Sequence, residues 1–311
     1  GSALSLFNET TSISAGLRFT QYPTLSTNFI EPRLHIDQKL NKQWHLTLSG
    51  ELKHQGIYQT VNIRNNLLGV ETRDWLLAGT ANNQFLKSKQ ISTGVTYSKN
   101  NWILATEIFL KTVQGINTAN LGFRNQLQDT NFNGEYHVKG TEVSLNKKLK
   151  NTNIWASYTY QDNTYTFPEI EPKTFRNNLD SNHSVTLAGS YDYKNFSFSL
   201  GNTFKTGLPY TTPLAGNSII TTNGVPVINY NTPNNKTLPS YFRTDFSASY
   251  NVKLDETFNG KINLAVLNVF NKHNALNRYY ILEDIGGTPT IQRVDEFSLG
   301  LTPNISLQLL F

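Results

Sequence analysis

The final sixteen residues of the chain, EFSLGLTPNISLQLLF (296–311), decide the fold. Apolar residues occupy every second position: Phe297, Leu299, Leu301, Pro303, Ile305, Leu307, Leu309 and Phe311. The positions between them, up to Gln308, are polar or small: Ser298, Gly300, Thr302, Asn304, Ser306 and Gln308. Because side chains alternate between the faces of a β-strand, this stretch predicts a strand with one apolar and one polar face. A helix would place apolar residues three and four positions apart.

The same alternation recurs along the chain, in the segments 10–22, 29–40, 44–52, 87–100, 102–116, 135–150, 152–167, 183–195, 196–205, 244–254 and 259–282. With the last segment they make about twelve strands, each near the ~9–11 residues that a tilted membrane strand needs. The connections alternate in length. Short polar turns are predicted at 41–43, 99–101, 150–153, 194–196 and 255–260. Long connections are predicted at 55–86, 117–133, 167–182, 207–242 and 283–295.

Alternating connection lengths are typical of outer-membrane barrels, which have short periplasmic turns and long extracellular loops. The sequence therefore predicts an all-β fold, an antiparallel transmembrane β-barrel of about twelve strands forming a single domain over residues 1–311. Residues 1–9 are expected to be a disordered or artificial start, since Gly1-Ser2 is typical of an expression scar. A soluble β-sandwich is the alternative, but one-sided strands with no helix to cover them favour contact with lipid.

Composition agrees with either of these folds. The chain has 311 residues, a net charge of +5 and no cysteine, which excludes disulfides and thiol chemistry. Its mean hydropathy is −0.41, a value that barrels share with soluble proteins because their strands are apolar on one face only. Its 18 Phe, 15 Tyr and 4 Trp favour a barrel, because aromatic residues form girdles at both membrane interfaces.

Several stretches resemble TonB-dependent outer-membrane receptors. LNVFNKHNALNRYYI (267–281) resembles the NLFNK motif near the C-terminus of that family. The terminal Phe311 resembles the signal by which outer-membrane barrels are recognised for assembly. Further similar stretches are FIEPRLHIDQKLNKQWHLTLSGELKHQ (29–55), LKSKQISTGVTYSKNNWILATEIFLKTVQGI (86–116), KTGLPYTTP (205–213) and YFRTDFSASYNVKL (241–254).

The resemblance implies a location in the bacterial outer membrane and uptake of a specific solute: a siderophore, a glycan or a peptide. Family barrels have roughly 22 strands and follow a plug and an energy-coupling box, so the chain resembles the C-terminal part of such a barrel. The implied partners are outer-membrane lipid, the barrel assembly machinery and, only through the missing plug, the energy-coupling protein. A plugless fragment that closes on itself would be an open pore. The alternative function is a passive-diffusion or autotransporter-type barrel of twelve strands.

No motif predicts catalysis, so we expect no enzyme activity, no cofactor and no nucleic-acid partner. HExxH, GxSxG, P-loop and dinucleotide motifs are all missing. His35 and His45 could face each other across the 41–43 turn, but we interpret them as polar groups of the barrel interior and predict no metal site.

Two sets of residues are candidates for function. Charged and imidazole side chains on the inward positions are predicted to line the lumen: Arg18, Glu31, Arg33, His35, Asp37, Lys39, Glu51, Lys53, Glu107, Glu142, Lys205, Arg243, Asp245 and Lys253. Binding residues concentrate in loops held by a rigid scaffold. The loop candidates for substrate binding are Tyr58, Arg64, Arg73, Trp75, Arg124, Arg176, Tyr210, Tyr230, Tyr241 and Arg278.

Overall fold

A computed structural model of the chain describes residues 2–62, 72–79, 83–128, 130–253 and 259–310. The strands in this part of the chain are β1 (Ser2–Phe7), β2 (Thr11–Tyr22), β3 (Thr27–Lys39), β4 (Trp44–Gln55), β5 (Ile57–Asn62), β6 (Thr72–Leu77), β7 (Leu86–Lys99), β8 (Trp102–Asn117), β9 (Asn133–Lys148), β10 (Thr152–Thr166), β11 (Thr174–Arg176), β12 (His183–Tyr193), β13 (Phe196–Lys205), β14 (Pro209–Tyr210), β15 (Ile219–Thr222), β16 (Val225–Ile228), β17 (Lys236–Thr237), β18 (Tyr241–Lys253), β19 (Asn259–Leu267), β20 (Ala275–Ile285), β21 (Thr288–Phe297) and β22 (Thr302–Leu310). Short 3-10 turns lie at Pro23–Leu25 and Thr118–Asn120. No helix in these ranges is long and apolar enough to cross a membrane.

One antiparallel sheet forms the wall of the molecule. It has 14 strands, in the order β1-β2-β3-β4-β7-β8-β9-β10-β12-β13-β18-β19-β22, with β11 attached to β10. Each wall strand pairs with the next wall strand along the chain. Strands β5, β6, β14 to β17, β20 and β21 lie in the connections and form separate two-stranded sheets. This up-and-down order confirms the predicted antiparallel architecture, because tight turns can join only antiparallel neighbours.

The predicted alternation of connection lengths is present. The turn end of the wall carries the connections 8–10, 40–43, 100–101, 149–151 and 194–195. The loop end carries 56–85, 118–132, 167–182, 206–240 and 268–301, together with one short connection at 23–26. The predicted turn at 255–260 falls largely outside the described residues.

Local chemistry explains the tight turns. Asn100 and Asn101 both have positive φ, 51° and 63°, as a two-residue type I′ hairpin requires, and asparagine tolerates this left-handed conformation. Aromatic side chains surround the turn end on the apolar face. Trp44 packs against Tyr97 with ring centroids 4.8 Å apart. Lys147 lies 4.6 Å above the ring of Trp102. These residues form the aromatic girdle that the composition suggests.

The two faces of the wall differ in chemistry over its whole width. The apolar face of β22 carries Ile305 and Leu307, which are 72% and 66% exposed. The opposite face carries Asn304 and Ser306, whose register partners on β19 are Ala265 and Asn263. A continuous exposed apolar face is unfavourable in water and suited to hydrocarbon. The predicted pattern of strands with one apolar and one polar face is therefore confirmed.

Four strand predictions need correction. Residues 1–9, expected to be disordered, contain β1, which pairs with β2 from Ser2↔Leu17 to Phe7↔Ser12. Segment 259–282 is not one strand, because β19 ends at Leu267 and β20 belongs to a separate hairpin with β21. The predicted loop 283–295 is therefore the tip of a longer connection, 268–301. The final strand begins at Thr302, since Glu296 and Phe297 belong to β21.

If the wall closes on itself, the closing seam does not join β22 to the first half of β2. β2 has β1 on one edge and β3 on the other, so it has no edge left along its first half for β22. The ends of the strand order are β1 and β22. Closure of the wall into a barrel by this chain alone stays a prediction, and it would have to use β1.

The main cluster of buried apolar side chains lies at the loop end. It consists of Val113, Ile116, Phe123, Leu127, Tyr165, Phe167, Ile170 and Phe175. Phe167 is fully buried and stacks on Phe175 with centroids 6.0 Å apart. This cluster joins the ends of β8 and β10 to connections 118–132 and 167–182. These two loops are therefore packed structures that can hold side chains in fixed positions.

Candidate ligand site at the loop end

Most of the predicted lumen residues lie on the polar face of the wall, in register with one another. Arg18 is opposite Glu31, Arg33 is opposite Glu51, and Glu107 is opposite Glu142. The remaining members are distributed along the same face: His35, Asp37, Lys39, Lys53, Lys205, Arg243 and Asp245. The side chain of Lys253 lies outside the described residues.

Several of these charged side chains pair with close neighbours. Lys53 Nζ lies 2.6 Å from Glu51 Oε1, and Arg243 Nε lies 2.7 Å from Asp245 Oδ1. Glu31 is almost fully buried; its Oε1 accepts a hydrogen bond of 2.6 Å from the backbone N–H of His54, and its Oε2 lies 3.5 Å from Arg18 Nε. The Lys53–Glu51 and Arg243–Asp245 pairs each lie within one strand, whereas the contacts of Glu31 join β3 to β2 and β4.

Four connections converge on one cleft at the loop end, with a volume of about 340 Å³. The connections are 118–132, 167–182, 206–240 and 268–301. The cleft is lined by Leu121, Gly122, Phe123, Arg124, Asn125, Asn178, Leu179, Leu208, Pro209, Tyr210, Thr211, Asn234, Leu276, Asn277, Arg278 and Glu296. Three of the predicted loop candidates, Arg124, Tyr210 and Arg278, are brought together here from three different loops.

Both arginines of the cleft are paired with carboxylates and with tyrosine rings. Arg278 makes a two-point contact with Asp295, with Nε–Oδ1 at 2.5 Å and Nη2–Oδ2 at 3.0 Å. Its guanidinium also lies 5.1 Å from the centre of the Tyr210 ring. Arg124 Nη1 donates to Glu296 Oε1 at 3.2 Å. The hydrogen bond from Arg278 lowers the pKa of Asp295, so this carboxylate stays ionised at neutral pH.

Arg124 and the hairpin β20–β21 make a second contact. The guanidinium of Arg124 lies 4.4 Å above the ring of Tyr279, at a distance where a cation attracts the electrons of an aromatic face. Phe123, which precedes Arg124 in the sequence, is buried in the apolar cluster. The rigid cluster therefore holds one side of the cleft, and the hairpin forms the other side.

Asparagines join the loops around the cleft. Asn125 Nδ2 donates to Thr211 Oγ1 at 2.8 Å. Asn234 donates from its backbone to the same hydroxyl at 2.9 Å, and from its side chain to Asn178 Oδ1 at 2.9 Å. These bonds connect three loops through residues far apart in sequence. Because each bond fixes a loop that would otherwise be free, the cleft is preformed.

The motif at 267–281 has a structural role next to this site. Asn268 is 1% exposed; its side chain donates to the carbonyl oxygens of Lys272 and Leu299 and accepts from the Lys272 N–H. Asn274 makes two hydrogen bonds with the backbone of Phe242. These contacts end β19 and turn the chain into the β20–β21 hairpin, which places Arg278 in the cleft.

Two predicted residues outside the cleft support its loops. Arg176 donates from Nε to Asp180 Oδ2 at 2.7 Å and from Nη1 to Thr237 Oγ1 at 2.7 Å. Tyr230 donates to the carbonyl oxygen of Tyr280 at 3.2 Å, and burial raises its pKa to about 12. Both residues bind loop to loop and are half-buried.

The other predicted loop residues lie elsewhere or are not described. Tyr58 is buried in β5, and burial raises the pKa of its phenol. Trp75 is 68% exposed on β6. The side chain of Arg73 and all of Arg64 lie outside the described residues. Tyr241 is in β18 and lines a second cleft.

The second cleft, of about 610 Å³, adjoins the first. It is lined by Thr159, Gln161, Leu179, Ser181, Ser184, Thr203, Lys205, Thr206, Gly207, Leu208, Pro239, Tyr241, Ala275 and Leu276. Leu179, Leu208 and Leu276 line both clefts. Because the remaining residues include polar-face positions of β10, β12 and β13, the second cleft leads from the loops toward the polar face of the wall.

Several cleft residues are not predicted from the sequence. Asn125, Asn178, Asn277, Tyr279 and Glu296 contact the predicted arginines or line the same space. Asparagine is too frequent in the loops to single out these positions. The alternation signal also assigns Glu296 to the last strand, where it would not be a loop residue.

Comparison with protein families gives a match over residues 4–271 to the family described as TonB dependent receptor-like, beta-barrel. Comparison with curated proteins gives no match. Among solved structures, the ferric citrate transporter FecA in its unliganded form is 15% identical, with a TM-score of 0.60, and covers 97% of this chain and 42% of its own. The ferric yersiniabactin uptake receptor FyuA from Yersinia pestis is 13% identical, with a TM-score of 0.60, over 97% and 43%.

The FrpB iron transporter from Neisseria meningitidis, in its F5-1 variant, is 12% identical with a TM-score of 0.63, over 98% of this chain and 44% of its own. The chain thus spans less than half the length of these structures, and at such identities the likeness concerns the fold alone. The family match covers most of the sequence and agrees with the one-sided wall, the girdle and the alternating connections. The chain therefore belongs to the TonB-dependent receptor-like β-barrel family of the bacterial outer membrane.

Proposed function

We propose that this chain is part of the barrel of a receptor that takes up a specific solute across the outer membrane, and that the 340 Å³ cleft is its outer recognition site. The observation that carries the proposal is the convergence of four connections on one preformed space at the loop end, which we propose to be extracellular. Three loops contribute Arg124, Tyr210 and Arg278 to it. Concave sites with a few fixed polar groups are the usual form of small-ligand sites.

Family membership supports the receptor over a passive-diffusion or autotransporter barrel. The loop network supports it too, because hydrogen bonds between loops, such as Asn125–Thr211, hold the residues of a recognition site in fixed positions, which passive diffusion does not require. In the proposed role the polar face of the wall contacts a plug, and through it the energy-coupling protein. Lipid and the barrel assembly machinery are the other proposed partners. No enzymatic step is part of the proposal.

Ligand capture tests the proposal. The detergent-solubilised chain is immobilised, exposed to spent growth medium and washed, and the retained small molecules are identified by mass spectrometry. We expect a compound that the wild type retains and that Asn277→Trp, which fills the cleft, does not. Thr222→Trp is the matched control, because Thr222 is exposed at the end of β15, away from the cleft lining.

The captured compound is then labelled and offered to cells that carry the receptor. Uptake should need both the open cleft and the energy-coupling protein. Retention of no compound, or equal retention by Asn277→Trp, contradicts the recognition site. Uptake that continues without the coupling protein contradicts energised transport.

A further inference from the structure

We infer that the ligand of the two adjoining clefts is an uncharged, hydroxyl-rich molecule, namely a neutral oligosaccharide. The inference rests on the proposed function, because it names the substrate class of the same site. It is argued from the charge balance of the first cleft, from the hydrogen-bonding groups of both clefts and from the leucines that line both.

The cations of the first cleft are neutralised in place. Arg278 holds Asp295 by two hydrogen bonds, and the two side chains are only 17% and 12% exposed. Arg124 holds Glu296. An anionic ligand would have to draw Arg278 away from its two-point contact and leave the largely buried Asp295 with Arg293 alone, whose Nε lies 3.3 Å from Asp295 Oδ2, which is unfavourable. The arginines therefore hold the loops in place and do not recognise negative charge.

The remaining polar groups of the first cleft suit hydroxyls. Asn125, Asn178 and Asn277 line it with side-chain amides, which can donate and accept. Glu296 receives hydrogen bonds from Arg124 and Asn277, yet its side chain is 43% exposed. A carboxylate oxygen accepts more than one hydrogen bond, so Glu296 can also accept from the hydroxyl of a bound sugar.

The second cleft continues the same chemistry. Its lining contains Gln161, the phenol of Tyr241 and five serine or threonine hydroxyls, at Thr159, Ser181, Ser184, Thr203 and Thr206. Lys205 is the one fully charged side chain in this lining. Amides and hydroxyls in such number, with little net charge, match a ligand that is itself rich in hydroxyls and carries no charge.

Apolar contact is supplied where the clefts meet. Leu179 and Leu276 are 69% and 45% exposed, and both line the two clefts. They can cover the C–H faces of sugar rings as a linear ligand passes from one cleft to the other. A peptide is the less suitable occupant, since peptides are usually held by backbone pairing to a free strand edge or by charged pockets.

The test is binding of the fluorescently labelled, detergent-solubilised chain to an array of oligosaccharides. Neutral oligosaccharides are paired with the same chains carrying uronic acids or sulfate. Ferric citrate and a neutral heptapeptide serve as competitors of other classes. We expect binding to neutral oligosaccharides at least tenfold tighter than to their acidic counterparts, with less than a twofold change between low and high salt.

A charge-altering variant separates recognition from mere stability. Glu296→Gln removes the negative charge that neutralises Arg124 and should lower binding of the neutral ligand at least fivefold while raising binding of acidic oligosaccharides. Glu283→Gln makes the same change at an exposed site on the same hairpin and should alter neither.

Preference for acidic sugars, ferric citrate or the peptide, blocked by Asn277→Trp, would overturn the substrate class and leave the recognition site intact. If no probe binds and the capture from spent growth medium retains no compound, the recognition site is overturned as well.

Discussion

Replacement of Ile305 by arginine tests whether the apolar face of the wall contacts hydrocarbon. Ile305 is 72% exposed and lies near the middle of β22, between Thr302 and Leu310. Its neighbour Asn304 points to the opposite face, where its register partner is Ala265. The two residues are adjacent in sequence and at nearly the same depth, so they form a matched pair.

The loss of folding free energy depends on how deep the substituted residue lies in the bilayer. Arginine on the lipid face costs ~2–4 kcal/mol at the bilayer midplane and ~0–1 kcal/mol near the interfaces. A nine-residue strand places its centre close to the midplane, so Ile305→Arg should destabilise the folded state by ~2–4 kcal/mol. Asn304→Arg faces the polar interior and should cost less than about 1 kcal/mol.

The measurement is reversible urea unfolding in phospholipid vesicles, followed by tryptophan fluorescence, with the free energy of unfolding taken from the midpoint and slope. Equal losses for the two variants, or a larger loss for Asn304→Arg, would refute the assignment of the apolar face to lipid.

Three further predictions concern the loops and the pore. Gly207→Ala should destabilise the 206–240 connection by ~1–3 kcal/mol in the same assay, because a Cβ there would overlap the carbonyl oxygen of Leu238, whereas Gly201→Ala, with no atom within 4 Å, should be neutral; equal effects would contradict the packing. Because the folded-state pKa of Asp295 is lowered by the hydrogen bond from Arg278, its contribution is complete above the unfolded value of about 3.9 and is lost as pH falls below it. Hydrogen-exchange protection of 275–297, corrected for intrinsic rates, should fall between pH 6 and pH 3 in the wild type and not in Asp295→Asn. Wild-type protection that does not change with pH would argue against stabilisation of the hairpin by the Arg278–Asp295 pair. If the chain closes alone through β1 and β22, planar-bilayer recording should show steady conductance, since an eight-stranded barrel is just filled by side chains and a larger one is not; silence in the bilayer would indicate that other strands complete the wall.

The wall could be predicted because lipid and water impose one pattern on every strand. A one-residue slip would exchange the two faces, so the apolar alternation also fixes the register. The prediction failed where strand pairing or side-chain hydrogen bonds, and not alternation, determine where a strand begins or ends. SALSLF (2–7) is too short to stand out, yet β2 supplies its pairing partner. The run at 259–282 is broken at Asn268, whose side chain satisfies several backbone groups and ends the strand despite apolar residues on both sides.

The candidate site could be predicted only in part. Arg124, Tyr210 and Arg278 are predictable because arginines and aromatic residues in long loops often bind ligands, and the structure brings these three together. Their partners could not be chosen in the same way. Arg278 meets Asp295 because the β20–β21 register sets them opposite each other, and that register depends on a turn the alternation did not reveal. The sequence also could not show that the arginines are neutralised.

The orientation of the wall can be measured directly because the chain contains no cysteine. Leu179→Cys places a thiol at the cleft, where the native side chain is 69% exposed, and Lys194→Cys places one in the turn between β12 and β13. Intact cells are treated with a maleimide too large to cross the outer membrane. We predict labelling of Leu179→Cys on intact cells and of Lys194→Cys only after the outer membrane is permeabilised. Labelling of Lys194→Cys on intact cells, or protection of Leu179→Cys until permeabilisation, would contradict a cell-surface recognition cleft.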